Sequence, residues 1–280
     1  MEKGFTVENW KLKVLRYPLE DAYSINKGII AVADGITRDP FPELPGKNSP
    51  ASKLNFFFKY PRPSPARKAA DIFCNVFPEA ILDFIKKDEY AVRKAFTEAN
   101  DRIRSWNLKN IPEIDYVTND FAGCVAAGAF ETKGMLYWGY ITDCGAAVFD
   151  DKGILKFRTE NEGPDRYSEE IKQKDKRLEN ALWGNPETRK IIRKEYRNKP
   201  DEKYAYGALT GEETAMKYVR TGAWELKPTD YLAVYSDGLE KTVFSEEFSE
   251  KLKNNDVKGI KKLCKENVQY EGTLVISKKD

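Results

Sequence analysis

Residues 120–159 carry four apolar runs almost without interruption: DFAGCVAAGAFE (120–131), GMLYWGYIT (134–142), GAAVFD (145–150) and GILKFRT (153–159). Thr132-Lys133, Asp143-Cys144 and Asp151-Lys152 alone separate them. A parallel pairing needs a crossover of roughly a dozen residues or more, so links this short predict an antiparallel meander. A sheet of this kind must be covered on at least one face, and the rest of the chain has to supply the cover.

Further strand signals lie on both sides of the meander. FTVENWKLKVLR (5–16) partly alternates apolar and polar residues, AYSI and GIIAVAD follow, and the last quarter reads as strands at 215–226, 230–236 and GTLVIS. Helical spacing appears over 66–86, where Pro78 predicts a kink or break, over AVRKAFTEANDRIRSW, and from about 238 and 245 to 266. Two helix groups separated by strands predict an α+β fold, a four-layer α-β-β-α sandwich of two mainly antiparallel sheets flanked by helix pairs. One domain over 1–280 is expected. It carries an insertion at about 36–65, with seven prolines and an NFFFKY knot, and a mobile cap or flap over the charged stretch at about 160–210.

Composition narrows the chemistry. The net charge of +2 points to neither nucleic acid nor an anionic membrane, and no long apolar window or basic-then-apolar leader is present, so a cytoplasmic protein is expected. The four cysteines form no CxxC pair. The chain has no histidine at all. That excludes Ser-His-Asp and Cys-His catalysis and HExxH metal sites. Any metal must be held by oxygen donors, which select Mg²⁺, Mn²⁺ or Ca²⁺.

Acidic residues at strand ends are the candidates. Glu20 and Asp21 precede the AYSI run, Asp34-Gly35 closes GIIAVAD, Asp143 occupies the link YITDCG, and Asp237-Gly238 closes DYLAVYS. Each could be a turn residue, since Asp-Gly is a strong hairpin signal. Gathered at one rim, they would repel and take up protons unless cations neutralised them.

The ordered set RYPLEDAY, IIAVADG, YWGYITDCGAAVFDDKGILKFRTEN and DYLAVYSDGLEKTV resembles the type 2C metal-dependent serine/threonine protein phosphatases over nearly the whole chain. The resemblance implies two Mn²⁺ or Mg²⁺ ions, with an optional third, and a metal-bridging water that attacks phosphorus. Carried over by position, it implies that Arg16 holds the substrate phosphate and that Glu20 and Asp21 order metal-bound waters. Asp34 would bridge both metals, Gly35 would offer its carbonyl, Asp237 would be the second principal metal aspartate, and Asp143 would serve the third metal. Three positions depart from the family pattern. Ile36 stands where a histidine is frequent, TDCG replaces Gly-Asp-Ser, and YEGTLVIS puts Tyr270 in the last metal-aspartate slot. Glu271, longer by one methylene than aspartate, is expected to reach back to the metal.

The implied activity is hydrolysis of phosphoserine and phosphothreonine on proteins, with a phosphorylated protein and its cognate kinase as partners and a monomer as the expected state. The alternative is a catalytically weak or inactive relative that binds phosphoproteins. An aspartyl-nucleophile phosphatase fits less well, because ADGIT offers a single carboxylate. Neither GxGxxG nor GxxxxGK[ST] is present for nucleotide binding.

Overall fold

Two five-stranded sheets stack face to face in the computed structural model, which describes residues 2–10, 18–36, 61–117, 119–179 and 185–279. The strands are β1 (Glu2–Glu8), β2 (Ala22–Asn26), β3 (Ile29–Gly35), β4 (Cys124–Thr132), β5 (Met135–Ile141), β6 (Gly145–Phe149), β7 (Leu155–Arg158), β8 (Arg220–Glu225), β9 (Tyr231–Tyr235) and β10 (Glu271–Lys278). One sheet runs β1-β10-β9-β6-β7 and the other β2-β3-β4-β5-β8, with every pairing antiparallel. The α+β sandwich expected from the sequence is the fold observed.

Helices α1 (Pro65–Asp83) and α2 (Glu89–Asn110) cover the second sheet. The short α3 (Ser168–Lys174) and α4 (Pro186–Glu195) lie in the long excursion after β7. Helices α5 (Glu240–Val243), α6 (Glu246–Lys253) and α7 (Val257–Asn267) cover the first sheet. Strand alternation divides the labour. In β9, Leu232 and Val234 face the inter-sheet core, while Tyr231, Ala233 and Tyr235 pack under α6 and α7. In β4, small residues admit the helix layer: a Cβ on Gly128 would lie 2.4 Å from the Phe77 ring. Phe77 in turn packs with Phe73 and Phe96 at centroid separations of 5.3 and 5.5 Å.

Two sequence expectations are corrected. Pro78 does not break α1, which continues through it. Proline lacks the N–H that would bond the carbonyl four residues back. That carbonyl belongs to Cys74, and it accepts the Ser24 hydroxyl instead. The meander also fails at its second link. β4 pairs with β5 and β6 with β7, but β5 and β6 belong to different sheets. Thr142-Asp143-Cys144 is therefore a step between layers and not a hairpin. Strand 5–16 is shorter than expected, since β1 ends at Glu8, and residues 11–17 lie outside the described residues. So does most of the 36–65 insertion, residues 37–60.

The 160–210 stretch is folded around its own apolar cluster of Ile171, Leu178, Ile192 and Tyr196. Beneath it, the buried Arg197 guanidinium donates to both oxygens of buried Asp120, at 2.8 and 2.6 Å. Arg193 approaches the same carboxylate at 3.3 Å.

Candidate functional site

Asp34 and Asp237 reach the same place from different sheets. Asp34 sits next to last in β3, in register with Val125 of β4. Asp237 follows β9 and opens a 3₁₀ turn, Asp237–Leu239. Neither glycine serves a hairpin. A Cβ on Gly35 would lie 2.6 Å from the Ala66 carbonyl carbon, where α1 begins. On Gly238 it would lie 2.0 Å from the Glu271 carbonyl oxygen, where β10 begins. Both Asp-Gly pairs mark points where two backbones nearly touch.

Asp21, immediately before β2, completes the centre. The Asp34 carboxyl is within hydrogen-bonding reach of both Asp21 and Asp237. Ser236 donates to Asp21 Oδ2 at 2.7 Å, and its oxygen accepts the Thr273 amide at 2.9 Å. Arg67 holds the Asp21 carbonyl at 2.6 Å. Glu20 is buried beside Asp21, and its carboxylate accepts the hydroxyl of Ser64, the residue that also caps α1. Glu271 points inward: its oxygens accept the amides of Glu20 (3.0 Å to each) and Asp21 (3.3 Å). Tyr270, its neighbour, is 70% exposed.

The step between the sheets brings in Asp143. Thr142 has φ 72°, a left-handed conformation unfavourable for a β-branched residue. It is held by its hydroxyl on the Gly207 carbonyl and by the Glu162 amide on its own carbonyl at 2.8 Å. Asp143 Oδ1 is buried with no hydrogen-bond partner among the described residues.

Burial raises Asp21, Asp34, Asp143, Asp237 and Glu271, and repulsion between acids adds to it. Asp21 is pushed up to about 6 and Glu271 to about 8. Asp34 and Asp143 rise well above the usual carboxylate range, and Asp237 rises as well. For Asp34 the repelling charges are those of Asp21, Asp237, Asp143 and Glu271, in that order. The buried Cys144 thiol is raised by burial and then by the charges of Asp34, Asp143, Asp21 and Asp237.

This donor set has the chemistry of a hard-cation site: all oxygen, clustered, buried, with an orphaned oxygen on Asp143. Among the described residues, however, no group of three or more His, Cys, Asp or Glu side chains is arranged so that it could hold a metal ion. Arg16 lies outside the described residues. Sequence reasoning missed Asp165 and Glu240, whose charges act on Asp143, and Asn161, which donates to Glu240 at 2.7 Å. It also missed Ser236 and Ser64. Ser64-Pro65 is a legible helix start, but nothing local signals its bond to Glu20.

No protein-family model and no curated protein matches the sequence. Among solved structures, the serine/threonine phosphatase PstP/Ppp of Mycobacterium tuberculosis superposes with a TM-score of 0.65 at 15% identity, covering 100% of this chain and 98% of that one. The fold is that of the type 2C phosphatases. The catalytic domain of PstP in complex with two manganese ions gives a TM-score of 0.59 at 15% identity, covering 100% and 98% of the two chains. PppA, a regulatory component of the Pseudomonas aeruginosa T6SS, gives 0.57 at 15% identity, covering 99% and 97%. Identities this low establish a shared type 2C architecture, and they leave chemistry to be argued from the residues.

Proposed function

We propose that the chain is a divalent-metal-dependent protein phosphatase that hydrolyses phosphoserine and phosphothreonine. The observation that carries this reading is the convergence of Asp21, Asp34 and Asp237 on one buried point from both sheets, with Asp143 and Glu271 beside them. Asp34, the Gly35 carbonyl, Asp237 and Asp143 would hold two Mn²⁺ or Mg²⁺ ions, with a third at Asp143. Bound divalent ions would acidify water and offset the phosphate charge. The chain's own residues prepare that chemistry. Ser236 fixes the orientation of Asp21 by donating to Oδ2. The carboxyls of Asp34 and Asp237, which burial holds toward the protonated form, would ionise if bound cations neutralised their charge. Arg16 would offer a two-pronged donor to phosphate oxygens. Phosphoryl transfer needs mainly positioning and charge stabilisation, so the lack of histidine is no obstacle.

The substrate would be a phosphorylated protein supplied by a protein kinase, met as a monomer in the cytoplasm. The likeness to PstP with manganese supports the metal, and PppA's regulatory role supports a phosphoprotein substrate. No helix among the described residues is long and apolar enough to cross a membrane. The test is release of nitrophenol from p-nitrophenyl phosphate with added Mn²⁺, lost in Asp34→Ala and Asp237→Ala. Folded wild-type protein that turns over no faster than these variants would end the reading.

A second reading, a phosphoprotein-binding relative without turnover, is favoured by Glu271, whose oxygens are engaged by backbone amides. It expects phosphopeptide binding that depends on Arg16, with no heat of Mn²⁺ binding in calorimetry.

A further inference from the structure

We propose that Glu271 is a positioning residue, the brace of the Glu20–Asp21 backbone, and not a cation ligand. This rests on the phosphatase reading and assigns a role within that site. Three hydrogen bonds run from two consecutive amides to one carboxylate: Glu20 N–H to both oxygens at 3.0 Å, and Asp21 N–H to Oε2 at 3.3 Å. A buried amide left without an acceptor is costly, so both N–H groups depend on this one side chain. The three bonds fix the peptide that carries Asp21, whose carboxyl meets Asp34.

The length of the side chain explains why this position is a glutamate. The Glu271 backbone has close neighbours on two sides. It pairs with Glu8 at the end of β1, and its carbonyl oxygen lies 2.0 Å from where a Cβ on Gly238 would be. From a fixed Cα, aspartate would stop one C–C bond short, about 1.5 Å. That gap breaks bonds already at 3.0–3.3 Å. Asp21 is thus secured from three directions: Glu271 on its amide, Arg67 on its carbonyl and Ser236 on its carboxyl. Swinging Glu271 onto an ion would withdraw the first of these.

The experiment is amide hydrogen exchange resolved at Glu20 and Asp21 by mass spectrometry with electron-transfer fragmentation, with and without saturating Mn²⁺, beside calorimetric counting of bound Mn²⁺. In wild-type protein both amides exchange slowly, and Mn²⁺ leaves them slow. In Glu271→Ala both exchange about 10- to 100-fold faster, amides of β3 and β9 do not change, and the Mn²⁺ count equals that of wild type. A merely weakened fold would speed all of these amides together. Glu271→Gln, which keeps one carbonyl oxygen, restores protection at one amide at least, whereas Glu271→Asp restores neither. Mn²⁺ that accelerates both amides in wild type, or an alanine variant that binds one ion fewer, overturns the proposal. If Glu271→Ala does not fold, the wild-type Mn²⁺ comparison decides alone. If wild type binds no Mn²⁺, the phosphatase reading falls, while exchange in the metal-free proteins still tests the brace.

Discussion

The protein buries charge in two places and treats it in opposite ways. Under the 160–210 stretch, Asp120 lies against Arg197 with two short bonds and has Arg193 beside it. At the rim where the sheets meet, Asp21, Asp34, Asp143, Asp237 and Glu271 face one another. Burial alone would raise Asp120, but the Arg197 guanidinium pulls it below its ordinary value. Each of the five rim acids is raised. A buried charge with its partner in place fastens one segment to another. A buried group of like charges without one stores unfavourable energy, and such sites are where binding is expected. The first region completes itself, and the second has no opposing charge among the described residues to do the same.

Removing a partner from the completed region should have the largest effect. Asp120→Ala takes the bidentate carboxylate from the buried Arg197 guanidinium and is expected to cost about 3–5 kcal/mol in denaturant unfolding. A loss under about 1 kcal/mol would mean that the segment rearranges and that the pair is not its fastening. Ser236→Ala comes next, because it orphans the buried Thr273 amide and frees Asp21 Oδ2. Roughly 1–3 kcal/mol should be lost, together with Mn²⁺-dependent turnover. At the rim the sign reverses. Asp34→Asn in metal-free protein should stabilise by roughly 0.5–2 kcal/mol while abolishing Mn²⁺-dependent turnover. Destabilisation by that substitution would remove the contrast between the two regions.

The pH response should separate the regions without mutation. Rim acids hold their protons more tightly folded than unfolded, so their contribution is complete below the ordinary values of 3.8 and 4.5. It is lost as pH rises through the folded values, about 6 for Asp21 and about 8 for Glu271. Asp120 behaves oppositely: its contribution is present above its ordinary 3.8 and is lost only as pH falls below it. Between about pH 5 and 8, therefore, the melting temperature in EDTA should fall steadily. Added Mn²⁺ should cancel the fall, with its stabilising effect growing toward high pH. A melting temperature flat across that range in EDTA would mean that the rim acids do not repel one another.

Much of the fold and of the rim is legible in the sequence alone, and the illegible parts have a common cause. Period-two and helical patterns place most strands and helices, because each element's apolar face is written locally. The strand ends then place Asp21, Asp34, Asp143 and Asp237. What escapes depends on partners far along the chain. The Asp143-Cys144 link reads the same whether the next strand returns in the plane or crosses to the other sheet; here it crosses. Pro78 reads as a kink or break because the Ser24 hydroxyl that relieves its carbonyl partner at Cys74 is 50 residues from that carbonyl. Arg197 reads as one more solvated charge, since Asp120 is 77 residues distant.

Arg177 offers the smallest and sharpest comparison with Arg197. It belongs to the same stretch and has more partners: its guanidinium bonds Asp175 at 2.6 Å and Glu195 at 2.6 Å. Counting contacts would rank it above Arg197. Its side chain, however, is 55% exposed, against 1% for Arg197. Water already solvates the guanidinium and the Glu195 carboxylate in the unfolded and folded states alike, and salt screens what attraction remains. Arg177→Ala should therefore leave the unfolding midpoint unchanged within error at physiological ionic strength, and turnover likewise. Removing either of two chemically identical guanidiniums from one segment then isolates burial as the variable. A midpoint shift for Arg177→Ala comparable with that for Asp120→Ala would show that the segment's surface network, and not its buried pair, holds it to the sandwich.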